Sequence, residues 1–166
     1  MDVMQLRRNL LMQKTDTSLI NWDRTLGDPN PTTVSNTTSP RVMDTNHYYV
    51  GIQTTNYYYK PYVKDYSFAK GTISVCSNNN NSYGLGVPVA VQSGETYTLS
   101  AIKSSDGITG FGYYDNGWNY VSGTGLAGVL PITITIPNGV AYAVIWFGSN
   151  FVNVPATFTN IKFVKV

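Results

Sequence analysis

Short runs of alternating apolar and polar residues recur along most of the chain. In residues 96–102, Tyr97, Leu99 and Ala101 fall on one face, and mainly hydroxyl side chains fall on the other. In residues 131–137, the three isoleucines point one way and the two threonines point the other. Alternation with a period of two is typical of strands that bury one face. The sequence therefore predicts that the tyrosine, leucine and isoleucine faces are core.

About ten such segments follow one another, most of them four to eight residues long. The asparagine run in residues 77–82 cannot sit in a packed strand and is predicted to be a loop. Residues 141–148 are apolar on both faces, as expected of a central strand or of one whose outer face is covered. No connection has room for a crossover helix, which favours antiparallel pairing. We predict an all-β fold, an antiparallel two-sheet β-sandwich of jelly-roll type, over residues 41–166.

The N-terminal residues 1–16 have a different pattern. Val3, Leu6 and Leu10 recur at helical spacing, and basic residues lie elsewhere on the helical wheel. A helix of about 12 residues is not stable alone, so it must pack on its own domain, fray, or bind another protein. We predict a short helical or extended docking segment. Its candidate contact residues are Met4, Leu6, Arg7, Arg8, Leu10 and Leu11.

Residues 17–40 are rich in Pro, Thr, Ser and Asn. The pairs Asp28-Pro29 and Asn30-Pro31 are typical of turns. This composition predicts a linker with short edge strands, one of them near Leu19–Trp22. Trp22 is expected to anchor the linker to the domain.

Charged residues are scarce in this chain. They make up 12% of it, and the formal net charge is +2. So few cations favour neither a nucleic-acid nor a membrane partner. No apolar run approaches the roughly 20 residues of a membrane-spanning helix. The first residues lack the apolar stretch of a signal peptide, so we expect synthesis in the cytoplasm.

The inventory of catalytic side chains is equally short. The sequence has one His, one Cys and one Glu. A catalytic triad would have to use His47, which lies at the start of a predicted strand with no nucleophile motif nearby. Most aspartates stand beside Gly, Asn, Ser or Pro, where they cap turns. Cys76 falls in an apolar strand and is expected to be a buried structural thiol. We predict that the protein is not an enzyme.

Residues 110–123, GFGYYDNGWNYVSG, place aromatic side chains around an Asp-Asn-Gly turn. Alternation puts Phe111 and Tyr113 on one face, which we predict to be core. The other aromatics are candidates for exposure, and flat exposed rings beside amides are typical of sugar sites. The alternative is that the rings only stabilise the hairpin by cross-strand pairing. The candidate glycan-binding residues are Tyr114, Asp115, Asn116, Trp118, Asn119 and Tyr120.

No cofactor is predicted. A zinc site would need three or four His or Cys ligands, which the chain does not have. A structural calcium ion is a weaker alternative, with Asp106, Asp115 or Asn116 as ligands, although the chain has no EF-hand loop. A second aromatic group, which includes Tyr57–Tyr59, Tyr62 and Tyr66, suits a protein–protein interface.

Several short motifs carry a resemblance over residues 70–166. The first is a Gly-x-x-Tyr-Thr-x-Ser strand at Gly94, Tyr97, Thr98 and Ser100, and the second is a strand that ends in Tyr-Asp with a glycine before a hairpin, at Tyr114, Asp115 and Gly117. The third is a looser Thr-Pro-Gly-Tyr pattern at Thr135, Pro137, Gly139 and Tyr142, and the last is a closing Asn-Ile-Lys strand at Asn160, Ile161 and Lys162. This part of the chain resembles the jelly-roll carbohydrate-binding-like modules of bacteriophage and prophage tail, baseplate and fibre proteins.

Residues 6–13, LRRNLLMQ, are similar to the basic-apolar N-terminus of small phage structural proteins. Together, the resemblances imply a non-enzymatic virion structural protein, a fibre, tail or head-decoration component with a lectin-like domain for host surface glycans. They also imply other virion proteins as partners, a homo-oligomer with a trimer favoured, and assembly into the virion in the host bacterial cytoplasm. Two alternatives stay open: a purely structural module between subunits, and a polysaccharide depolymerase.

Overall fold

The computed structural model describes residues 2–7, 18–27, 43–51, 63–77 and 84–166. Residues 3–7 are helical, and the other regular elements of these ranges are strands. In chain order the strands are β1 (Thr25–Leu26), β2 (His47–Gly51), β3 (Val63–Ala69), β4 (Thr72–Ser77), β5 (Gly84–Ala90), β6 (Thr96–Lys103), β7 (Gly107–Tyr114), β8 (Tyr120–Gly123), β9 (Ile132–Thr135), β10 (Tyr142–Ser149) and β11 (Ala156–Lys165).

These strands form two sheets. One has six strands in the order β1-β2-β5-β10-β7-β8, and the other has five in the order β3-β4-β11-β6-β9. Every neighbouring pair is antiparallel except β1 with β2. From β4 to β11 the chain changes sheet at every step except the β7–β8 hairpin. The predicted all-β two-sheet sandwich is therefore confirmed, and its assignment to the jelly-roll type stays a prediction.

The core lies between the sheets, where the predicted faces meet. Tyr97 and Leu99 of β6 are buried, and Ile102 on the opposite face is 67% exposed. Ile134 and Ile136 are also buried, whereas the threonines that alternate with them are exposed. The alternation predicted for these two segments is confirmed.

Strand β11 departs from simple alternation. A strict period of two places Phe158 on the face opposite Ile161 and Phe163, yet all three side chains are buried in the core. The pairing of β11 with β6 shifts register between Thr159 and Lys162, and Asn160 between them has a positive φ of 53°. The extra residue of this β-bulge changes the phase of the strand, so a strict period of two does not assign the faces beyond it.

Residues 18–22 pack beside the C-terminal half of β11, beyond the three residues that pair with β4. The amide of Leu19 donates to the carbonyl of Phe163 at 2.8 Å, and Ser18 Oγ accepts the Phe163 amide at 3.1 Å. Ile20 is buried in the main core. Trp22 packs on that core, and its carbonyl accepts the hydroxyl of Tyr48 at 2.9 Å. The predicted anchoring role of Trp22 is confirmed. The edge strand lies at Thr25–Leu26, later than predicted.

Arg24 fixes the next part of the segment. The residue is 8% exposed, and its guanidinium donates to the carbonyls of Asn21 at 2.6 Å and Pro88 at 2.7 Å. Burial lowers its pKa from the ordinary value. The chain before β2 is thus tied to both sheets. The proposed division into residues 1–16, 17–40 and 41–166 stays a prediction.

Strand β10 has two apolar faces, as predicted. Ile145 and Phe147 point into the core between the sheets, and Val144 and Trp146 point outward. The outward side chains belong to a second buried cluster, completed by Met43, Tyr49 and Tyr114 and covered in part by Trp118, Leu126 and Tyr142. Loops therefore cover part of the outer face of the six-stranded sheet. In the described ranges, no helix has the length and apolar character needed to cross a membrane.

Candidate functional site

The tip of the β7–β8 hairpin is a five-residue loop, residues 115–119. Its ends are joined by a hydrogen bond from the Asp115 amide to the Asn119 carbonyl at 3.0 Å. Within it, the Trp118 amide donates to the Asp115 carbonyl at 3.0 Å, which closes a β-turn over Asn116 and Gly117. Asn and Gly are common in such turns, so the local sequence accounts for the sharp reversal.

Asp115 organises this loop. Its Oδ1 accepts the amides of Gly117 and Asn119, each at 2.9 Å. The side-chain nitrogen of Asn119 also donates to both carboxylate oxygens, at 3.1 Å and 3.0 Å. Hydrogen bonds from the Asn119 backbone and side chain lower the pKa of Asp115, as does the bond from Gly117. The carboxylate thus has the turn-capping role predicted for most of the aspartates, and it holds the neighbouring side chains in place.

Tyr114 is a correction to the predicted site. We expected an exposed ring, but the side chain is 1% exposed. Its ring centroid is 5.8 Å from those of both Trp118 and Tyr120. The cause is the neighbouring strand: Tyr114 pairs with Tyr142 of β10, whose outward side chains form the second cluster. Tyr114 therefore supports the site from below and is not available to a ligand.

Trp118 and Tyr142 form a stacked pair above Tyr114. Their ring centroids are 4.0 Å apart and their planes differ by 6°. Both side chains are half-buried. Trp118 has a positive φ of 62°, a left-handed conformation that costs roughly 1–2 kcal/mol in a residue with a Cβ. Stacking on Tyr142 offsets part of this cost and fixes the orientation of the indole.

Sequence reasoning missed Tyr142. It lies 24 residues after Trp118 in the chain, and only the antiparallel pairing of β7 with β10 brings the two together. Its sequence signals are its place at the start of a strand that is apolar on both faces and its position in the looser Thr-Pro-Gly-Tyr motif.

Around this pair lie the remaining predicted residues. Tyr120 is 38% exposed, and Asn116 and Asn119 are exposed as well. We call the set of Asn116, Trp118, Asn119, Tyr120 and Tyr142 the hairpin platform. It combines ring faces with amide donors and acceptors, a chemistry that suits sugar rings and their hydroxyls. Phe111 and Tyr113 are buried, as predicted.

The described residues form no group of three or more His, Cys, Asp or Glu side chains able to hold a metal ion. Asp106 and Asp115 flank opposite ends of β7, roughly 30 Å apart at the usual rise per residue, so they cannot share a calcium ion. His47 lies at the start of β2, as expected, and its Nδ1 is 2.8 Å from Asp44 Oδ1. Cys76 is buried, also as expected.

The predicted docking residues are described in part. Met4 is 66% exposed and Leu6 is 51% exposed, and Arg7 is exposed as well. The Asp2 carboxylate caps this helix by accepting the Gln5 amide at 2.7 Å. Arg8, Leu10 and Leu11 lie outside the described residues, as do Tyr57–Tyr59, Tyr62 and the asparagine run after Ser77.

No protein-family model matches the chain, and no curated protein matches its sequence. Among solved structures, it is similar to the tailspike protein 4 enzymatically active domain of Bacteriophage CBA120, with 12% identity, a TM-score of 0.45, and coverage of 57% of this chain and 15% of that chain. It is also similar to a chain in the crystal structure of accessory secretory proteins 1, 2 and 3 of Streptococcus pneumoniae, with 10% identity and a TM-score of 0.49. That match covers 70% of this chain and 94% of the other chain. A third similar structure is a CBM4 module, with 14% identity and a TM-score of 0.42. That match covers 63% of this chain and 77% of the other chain.

Proposed function

We propose that this chain is a non-enzymatic structural protein of a bacteriophage virion, a fibre, tail or decoration component, whose β-sandwich binds host surface glycans through the hairpin platform. The observation that carries the binding proposal is the stacked pair of Trp118, in the loop of the β7–β8 hairpin, and Tyr142, at the adjacent start of β10; both rings are half-buried. The virion proposal rests on the motif resemblance of residues 70–166.

Glycan binding would use the two surfaces of the platform differently. The apolar C–H face of a sugar ring packs on an aromatic face, which contributes roughly 1 kcal/mol per ring beyond area burial. The exposed amides of Asn116 and Asn119 meet the sugar hydroxyls at the edge. Because Asp115 and Tyr142 already hold this loop, little side-chain freedom is lost on binding.

A single site of this kind is expected to bind a glycan weakly, so useful binding would need several copies on one virion. Several copies on one particle convert weak contacts into useful total binding when they can engage the same cell surface together. We therefore propose a homo-oligomer, with a trimer favoured, that is assembled into the particle in the bacterial cytoplasm.

The N-terminal helix is the proposed contact with other virion proteins. It presents exposed Val3, Met4 and Leu6. Burial of such side chains against a shell or tail protein would add roughly 1.5–3 kcal/mol each when complete. A truncation that lacks residues 1–16 is expected to fold and to fail to join particles. Normal incorporation of the truncated chain would contradict the docking role.

A glycan array tests the binding proposal. The wild-type protein should bind at least one host surface glycan, and Trp118→Ala should lose that binding and reduce adsorption to cells. Val121→Ala is the matched control, because Val121 is exposed on β8 but lies outside the platform. Absence of any bound glycan, together with unchanged adsorption of Trp118→Ala, would reject the platform as a glycan site.

The second candidate is a purely structural module between subunits. It is favoured by apolar side chains exposed at Ile102, Val129 and Phe151. Incorporation into particles without any glycan binding would support it. Shortening of capsule or cell-wall glycans by the purified protein would instead indicate a depolymerase and reject the non-enzymatic proposal.

A further inference from the structure

Four strands of the described ranges lie at the edges of the two sheets. They are β1 and β8 in the six-stranded sheet, and β3 and β9 in the five-stranded sheet. An edge strand leaves one row of backbone N–H and C=O groups without a strand partner, and such a row can pair with another chain. Proteins usually prevent this with very short strands, charged side chains or β-bulges at the edge. The four edges differ in whether they have such features.

Three of these edges are protected against strand addition. Strand β1 has only two residues. Strand β3 carries Lys64 and Asp65, and its pairing with β4 shifts register between Val63 and Asp65. The pairing of β8 with β7 is also irregular, between Tyr113 and Tyr114. A short length, a charge or a distortion of the strand therefore discourages pairing at each of these edges.

Strand β9 has none of these features. It pairs with β6 over its full length without a register shift. The sequence has no charged residue between Asp115 and Lys162, so β9 and the turns beside it are uncharged. Thr133 and Thr135 of β9 are exposed. Among the edges that the structure describes, β9 is therefore the one that is regular, uncharged and longer than two residues.

The open backbone groups of β9 belong to its two threonines. The Ile136 amide, just after β9, donates to the Glu95 carbonyl, just before β6, at 2.9 Å. Backbone groups along a strand point alternately to its two sides. Those of Ile134 therefore also face β6, and those of Thr133 and Thr135 face the open edge. Neither threonine amide has a hydrogen-bond acceptor among the described residues.

This edge is complementary to a second copy of itself. An antiparallel pair centred on Ile134 of both copies places Thr133 of each copy opposite Thr135 of the other. Residues opposed in this way exchange two backbone hydrogen bonds, so every outward N–H and C=O of the two threonines is satisfied. Their side chains would also lie opposite each other, and cross-strand Thr–Thr pairs are favourable. The same kind of pair already joins β9 to β6, where the Thr133 hydroxyl bonds to that of Thr98 at 2.9 Å.

Two further properties favour a second copy over another partner. A two-fold pair brings each charge of an edge close to the same charge in the other copy, and like charges repel, so an uncharged edge suits pairing with itself. In addition, the register centred on Ile134 places Pro131 of one copy opposite Pro137 of the other. Proline has no amide hydrogen, so the pairing ends at these positions without an unmatched donor.

We propose that two copies of this chain associate through β9, antiparallel about a two-fold axis, so that their five-stranded sheets become one continuous sheet. Strand β9 lies in the five-stranded sheet and the hairpin platform in the six-stranded sheet, so this surface is not the proposed glycan site. The contact is also distinct from that of the proposed trimer, and two trimers could pair through it. A four-residue edge is smaller than a standard interface, so the association is concentration-dependent and is favoured where copies are crowded on a particle.

The wild-type protein tests the pairing directly. Sedimentation velocity from about 1 µM to about 1 mM should show association as the concentration rises. Over the same range, amide hydrogen exchange followed by NMR should slow several-fold at Thr133 and Thr135. Exchange at Ile134, whose amide faces β6, should not change. A single copy at every concentration, or fast exchange at Thr133 and Thr135 in the associated protein, would overturn the proposal.

Matched lysine variants locate the contact. Thr135→Lys and Thr157→Lys add the same charge to exposed positions of the same sheet, but Thr157 lies on β11, which has a neighbouring strand on both sides. Thr135→Lys should halve the number of copies in the assembly, whereas Thr157→Lys should leave it unchanged. Equal dissociation by both variants, or by neither, would reject β9 as the contact. Trp118→Ala should leave the association unchanged, so failure of the hairpin platform and failure here are distinguishable.

Discussion

Replacing Trp118 with glycine should destabilise the protein less than replacing it with alanine. Glycine is normally the more costly residue inside ordered structure, by roughly 0.5–1 kcal/mol relative to alanine, because it loses more conformational freedom on folding. At Trp118 we expect the opposite order, since its φ of 62° lies in the left-handed region. The comparison tests whether the hairpin platform is held in that conformation.

The magnitude follows from what the two variants share. Both remove the indole, and with it the stack on Tyr142 at 4.0 Å and the contact with Tyr114. These losses cancel in the difference between the variants. Two opposing contributions remain. The Cβ of alanine in the left-handed region costs the alanine variant roughly 1–2 kcal/mol of stability. The greater conformational freedom of glycine in the unfolded state lowers the stability of the glycine variant and offsets part of that difference. We therefore expect the glycine variant to be more stable than the alanine variant by about 1 kcal/mol.

Urea unfolding of both variants measures this difference in unfolding free energy. The urea midpoints of the two variants can be compared directly if their m-values are equal. Asn116 is the internal control, because it lies in the same turn and does not have a positive φ. There the usual order should hold, and Asn116→Gly should be less stable than Asn116→Ala. A Trp118→Ala variant as stable as Trp118→Gly would refute the proposed left-handed conformation.

Three further outcomes are expected. Phe163→Ala should cost about 3–5 kcal/mol of unfolding free energy, because this ring is fully buried and stacked on Tyr97; near-wild-type stability in urea would contradict the packing. Arg24→Ala should cost about 1–3 kcal/mol by leaving the buried Pro88 carbonyl without its donor, and an unchanged melting temperature would count against that role. Because the pKa of Asp115 is lowered in the folded hairpin, its support should be complete above the unfolded value of about 3.9 and decline as pH falls through the lower folded value. NMR titration of the carboxyl group checks this, and titration at or above the ordinary value would contradict it.

The hairpin could be located from the sequence because its signals are local. Asp115, Asn116 and Gly117 specify a turn, and the strands on either side follow from alternation. Alternation also placed Phe111 and Tyr113 in the core correctly. The same rule put Tyr114 on the outward face, and that is where it lies. Its burial comes from the neighbouring strand β10 and from Trp118, which covers it.

The packing of residues 18–22 had no sequence signal of this kind. Ser18 and Leu19 are far from Phe163 in the chain, and they meet it only because this segment bonds to the C-terminal half of β11. The bulge at Asn160 was equally hidden, because an inserted residue leaves the composition of a strand unchanged while it reverses the faces that follow.

The sequence by itself determined the class of fold, most strand positions and the faces of β6 and β9. Those properties depend on residues two apart, and a period of two can be recognised within a single segment. Only the tertiary structure decided which outward faces are covered, where β11 changes phase and which distant side chains share a surface. These depend on pairing between strands far apart in the chain, and no local pattern of apolar and polar residues encodes which partner a strand will meet.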